Sequence, residues 1–125
     1  MLCVADYLDA LDWVEAIGGT SAAAARSEAN LGVVRDFVAD RPWIDFLARD
    51  PATISSTSVC LTVDVPADAV KRMVALLAEQ GVAYDIGAYR DAPPGLRIWC
   101  GATVDTDEVR CLMPWIEWAW REVTA

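Results

Sequence analysis

The sequence predicts an α+β domain: an N-terminal helical pair followed by a β-α-β-β-α open sandwich. Three observations carry that expectation. The first forty residues place apolar side chains at three- and four-residue spacings, the period of a helix. Thr57–Val63 alternates strictly and is rich in β-branched residues, as a half-buried strand requires. After it come a second helical stretch, two short strand signals and a last helix, the order that lays helices on one face of a small sheet.

The elements follow in order. Val4, Tyr7, Leu8, Leu11 and Val14 form the stripe of a first helix, which Gly18-Gly19 stops. Thr20 or Ser21 is the expected cap of a second helix with Leu31, Val34, Phe37 and Val38 as its apolar face, ended by Pro42. Two antiparallel helices about a Gly turn are the simplest arrangement, packed on the sandwich or on something outside the chain. Trp43–Leu47 is a short strand candidate, and Ala48–Ser56, with Asp50-Pro51, is a loop. In Thr57–Val63 the residues Thr57, Val59, Leu61 and Val63 share one face. Pro66 suits the first turn of a helix with Val70, Met73, Val74 and Leu77 buried, and Gly81 lies just past its end. Val82–Ile86 and Leu96–Cys100 are expected as strands, and Asp105 or Thr106 opens a helix reaching about Glu122.

At 125 residues the chain fits one domain, large enough to bury a core without staples. A formal net charge of −9 argues against a nucleic-acid or anionic-membrane surface. There is no histidine, so the commonest general base and zinc ligand is missing. No apolar run approaches the roughly 18 residues that span a bilayer. Cys3, Cys60, Cys100 and Cys111 lack C-x-x-C spacing, and Met1–Asp9 lacks the pattern of a signal peptide. The expectation is a cytoplasmic protein with reduced thiols buried as small apolar residues.

Two arginines stand out. Arg97 lies inside Gly95-Leu96-Arg97-Ile98-Trp99-Cys100, where Leu96, Ile98 and Cys100 share one face and Arg97 and Trp99 the other. It is either a solvated surface arginine or a grip for a carboxylate or phosphate, to which the planar guanidinium donates two parallel hydrogen bonds. Arg90 lies in a loop between Tyr89 and Asp91, with a proline pair behind it. On the last helix, Val109, Leu112, Met113, Ile116 and Trp120 form one stripe, and Cys111, Trp115 and Trp118 another nearly opposite, unless Pro114 resets the phase. Lys71 reads as a solvated lysine, and Asp6, Asp9 and Asp12 as a polar helix face. Neither Gly18-Gly19 nor Gly95 with Gly101 matches a phosphate loop.

The run Tyr84–Val104 resembles the C-terminal segment of bacterial phosphoserine aminotransferases. The start, Met1–Leu11, is also similar to that family, as are Asp50-Pro51-Ala52-Thr53, Thr57–Leu61 and Met113-Pro114-Trp115. The resemblance implies the small domain of a fold type I aminotransferase dependent on pyridoxal phosphate. Such an enzyme moves an amino group between glutamate and 3-phosphohydroxypyruvate in serine biosynthesis, as a homodimer. It implies that Arg97 holds the substrate carboxylate and Arg90 the substrate phosphate. Some relatives carry a His-Arg pair, with a shorter spacing, where this chain has Tyr89-Arg90, and a basic residue near Ile54. The catalytic lysine and the cofactor groove are expected upstream, in a large domain outside these residues. The isolated chain is then expected to be inactive, with its partners the large domain and a second subunit. The alternatives are a stand-alone ferredoxin-like module binding a small anionic amino acid, and an interaction domain using Trp115 and Trp118.

Overall fold

The computed structural model describes residues 1–125. Its elements are α1 (Leu2–Ala16), α2 (Gly19–Ala39), β1 (Ile44–Phe46), β2 (Ser58–Val63), α3 (Ala67–Glu79), β3 (Gly95–Trp99) and α4 (Thr106–Thr124). A single 3-10 turn, Pro51–Thr53, is capped by the Asp50 carboxylate, which accepts from the Ala52 amide at 2.9 Å.

The three strands form one antiparallel sheet in the order β1-β2-β3. Ile44 faces Val63, Leu61 faces Leu96 and Val59 faces Ile98. These apolar residues are buried and share the core with Leu31, Val34 and Phe37 of α2, Met73 and Leu77 of α3, and Val109, Met113 and Ile116 of α4. The predicted alternation is therefore what gives the sheet one face for the helices. Ser58, Cys60, Thr62, Arg97 and Trp99 lie on the other face, where no helix covers them.

Val82–Ile86 is not a strand. The Val82 and Ala83 amides both turn back to the Leu77 carbonyl, at 2.9 and 3.4 Å, so they close the end of α3 and leave no ladder to build. Gly81 at φ 68° and Asp85 at φ 52° bend the path further. Only Gly87 bridges to Leu96, and the Arg97 amide donates to the Ile86 carbonyl at 2.8 Å. The order after Thr57 is thus β-α-β-α. The third strand comes from β1, within the predicted Trp43–Leu47, and the four-stranded sheet of a ferredoxin-like module does not form.

The helical pair also differs from expectation. Gly18 and Gly19, at φ 110° and 81°, form the turn, and Gly18 rather than Thr20 or Ser21 stands at the cap of α2. α2 packs on the sheet, but α1 buries no residue: Leu2, Val4, Tyr7, Leu8 and Leu11 stay exposed. α4 runs unbroken through Pro114, held at its start by a capping box between Asp105 and Glu108. Cys111 and Trp115 are exposed as a second face predicts, whereas Trp118 packs against the core edge. Only Cys100 among the cysteines is buried; Cys3 and Cys111 are exposed and Cys60 half-buried, because α1 is bare and the other two lie on uncovered faces. All four are free thiols.

One buried side chain ties α2 to the segment between β3 and α4. Asn30 Nδ2 donates to the carbonyls of Val104 at 2.9 Å and Cys100 at 3.1 Å, and Oδ1 accepts from Thr106 Oγ1 at 2.8 Å. Donors and acceptor are all used, as a fully buried amide requires.

Candidate anion-binding site on the open sheet face

The site begins with a close approach of two strands. A Cβ on Gly95 would lie 1.9 Å from the Leu61 carbonyl oxygen, so only glycine lets β3 start beside β2 at this register. Two residues later Arg97 emerges on the open face, paired across the strands with Cys60.

Arg97 is neither fully solvated nor buried in the core: 26% of its side chain is exposed. Its NH2 donates to Asp85 Oδ2 at 3.0 Å and to the Asp85 carbonyl at 3.3 Å. The Tyr89 ring lies under the guanidinium, 4.8 Å from carbon to centroid, and the Tyr89 hydroxyl is 3.2 Å from Ser58 Oγ. Hydrogen bonding to Asp85 holds the guanidinium above the usual arginine pKa, so it stays charged. Its Nε is out of contact with solvent and has no acceptor. A buried donor on a cation without a partner is costly and rare, and it marks a place where an acceptor is wanted. The adjoining cavity, about 230 Å³, is lined by Ser58, Tyr84, Asp85, Arg97 and Trp99 among others, room for a small acid.

The structure does not bring Arg90 to Arg97. Arg90 is exposed and lines a different cavity of about 390 Å³ with Lys71, Val70, Val74, Pro93 and Pro94. Its neighbour Tyr89 is the one that reaches Arg97. Asp85 and Tyr89, the groups that do contact the guanidinium, are not separable by sequence pattern from the surrounding turn residues. Asp85 has an αL backbone, a conformation that aspartate and asparagine tolerate better than most residues, and this shows in the structure rather than in the sequence.

Lys71 is 79% exposed, and its Nζ donates to Asp68 Oδ1 at 3.2 Å. A Schiff-base lysine needs burial or a pocket that depresses its pKa. This solvated, ion-paired amine does not fit, and no other lysine is present. Asp6, Asp9 and Asp12 are exposed along α1, as a polar face. No group of histidine, cysteine and carboxylate side chains has the arrangement of a metal site. No helix is long and apolar enough to cross a membrane.

No family model matches the chain. It is 48% identical over 120 residues to a phosphoserine aminotransferase of Methanosarcina mazei, covering 96% of this chain and 32% of that protein. A Methanosarcina barkeri protein of the same name is 49% identical over 123 residues, 98% of this chain and 33% of its own length. Among solved structures, a phosphoserine aminotransferase studied for radiation damage of its Schiff base superposes with a TM-score of 0.77 at 19% identity, over 89% of this chain and 30% of that one. The enzyme of that name from Bacillus circulans subsp. alkalophilus gives 0.77 at 17% identity, with the same coverage. These likenesses to solved structures bear on the fold alone. The chain spans about a third of the length of the relatives it matches, and over nearly all of its own length it is homologous to that part of them.

Proposed function

We propose that residues 1–125 form the C-terminal, small domain of a phosphoserine aminotransferase, a transaminase that moves an amino group between glutamate and 3-phosphohydroxypyruvate in serine biosynthesis. The observation that carries this reading is identity near one half, sustained over almost the whole chain, to two proteins of that name. In this reading the domain is a single folding unit of a soluble cytoplasmic homodimer. The rest of the enzyme supplies the pyridoxal phosphate site and the reactive lysine, chemistry for which Lys71 is unsuited.

Arg97 is the proposed grip for the substrate α-carboxylate. It presents a permanent charge on an uncovered face, beside a small cavity, with its buried Nε unpaired. A bidentate pair there would orient the amino acid and exclude water from its carboxylate. Arg90 is the proposed phosphate contact. It lies in the loop before β3, seven residues ahead of Arg97, and lines a cavity of its own.

A chimera tests the reading. The corresponding segment of the Methanosarcina mazei enzyme is replaced by residues 1–125 and assayed for transamination of phosphoserine. An active chimera that loses at least about a hundredfold in kcat/KM with Arg97→Ala is expected, since a buried charged hydrogen bond to substrate is removed. A folded, cofactor-loaded chimera that turns over unchanged with Arg97→Ala would refute the role of Arg97. One that has no activity with Arg97 intact would refute the proposed function.

A further inference from the structure

We propose that Asp85 is a resident carboxylate that occupies Arg97 in the resting domain and is displaced when a ligand carboxylate enters. The inference rests on the reading of Arg97 as a carboxylate grip and adds how that grip is regulated. Its basis is the chemistry already on the guanidinium. The Asp85 carboxylate takes NH2 of Arg97, one half of the edge that a bidentate carboxylate would use, while Nε of the same edge is left without an acceptor.

Nε is closed to solvent, so an incoming carboxylate reaches it only after a neighbour moves. Asp85 and the Tyr89 ring both lie against the guanidinium, beside a cavity that Ser58, Tyr84 and Trp99 line. Tyr89 is anchored at its far end by Ser58. The Asp85 side chain is 91% exposed, and it makes no bond other than that to Arg97. Asp85 is therefore the group free to swing out. When it leaves, the Asp85 carbonyl still accepts from NH2 and the tyrosine face still supports the cation, so Arg97 keeps its position. The exchange replaces one oxygen on NH2 with two on NH2 and Nε. That difference is what drives it, and it selects a ligand with a planar carboxylate over a monodentate anion.

The test uses the 125-residue chain and acetate as probe, read from the Arg97 Nε–H signal in proton–nitrogen spectra and assigned by its loss in Arg97→Lys. Asp85→Asn removes the competing charge and keeps a residue that tolerates the left-handed backbone. The expected result is an acetate midpoint about fivefold lower in Asp85→Asn than in the parent, the scale of a largely exposed ion pair. Asp91→Asn removes a charge from the same stretch of chain without a bond to Arg97 and should leave the midpoint near the parent's. Equal midpoints in Asp85→Asn and the parent, or an equal drop in Asp91→Asn, would overturn the displacement while leaving the grip intact. A signal that acetate moves in no variant would overturn the carboxylate grip itself, and the displacement with it.

Discussion

Replacing Asn30 by alanine is expected to lower the melting temperature far more than a surface change would. The substitution strips donors from the Cys100 and Val104 carbonyls and the acceptor from the Thr106 hydroxyl. Neither carbonyl has another hydrogen-bond partner, whereas the Gly101 carbonyl, 3.4 Å from Nδ2, also accepts from the Val104 amide. A buried polar group left unpaired costs about 1–3 kcal/mol. Val104 is only half-buried and Thr106 can turn to water, so the sum is about 3 kcal/mol rather than the upper bound. For a domain of this size about 4 °C per kcal/mol gives a fall of about 12 °C. Calorimetry reads it, and urea unfolding should show a lower midpoint at unchanged m. Asn30→Asp should be worse than Asn30→Ala, because a carboxylate places only acceptors against two carbonyls. A fall of under about 2 °C in Asn30→Ala, or an aspartate variant more stable than the alanine one, would refute this account of the junction.

Gly95→Ala is expected to cost about 3 kcal/mol or more, since its Cβ meets backbone rather than a side chain that could move; chemical denaturation measures it, and near-parental stability would show that the strands can part. In thiol titration near pH 8, Cys3 and Cys111 should react at once, while Cys100 waits for unfolding. Burial pushes the Cys100 thiol up to about 11 from 9.0, so the unfolded chain releases that proton first, and stability should fall as pH rises through that window, an effect absent in Cys100→Ala. Glu117, which accepts from Arg41 at 2.6 Å, has its carboxyl held below the usual range by that bond; its contribution is present above pH 4.5 and lost as pH falls below it, so Glu117→Gln should flatten the acid limb of a stability profile.

Local periodicity made most of the fold legible. Strict alternation in β2 and β3 placed Arg97 on the open face, because a strand's period of two leaves no other choice once Leu96 and Ile98 face the core. What was not legible depended on hydrogen bonds between distant residues. Val82 and Ala83 have strand-like side chains, but their amides are claimed by Leu77. The apolar stripe of α1 needs a partner surface, and α2 covers it only near the turn, where Val14 is half-buried and Arg26 lies over Trp13. At the site, Arg97 was visible as a charge in a strand, while Asp85 and Tyr89 reach it through a turn whose shape no pattern encodes. Arg90 was visible as a loop cation, but adjacent loop residues point apart, and its neighbour took the contact.

The narrow passage at Gly95 imposes a parity rule on how this segment can change length. The glycine fixes where β3 begins against β2, and Arg97 sits an even number of steps from it. A single inserted or deleted residue between the two would send the arginine into the apolar core and a leucine-like neighbour to the surface. The same change before Gly95, in the proline-bearing loop, leaves the parity untouched. Drift in length is therefore open on one side of that glycine and closed on the other, and the spacing from loop to arginine can vary between related chains while the Gly-x-Arg step holds.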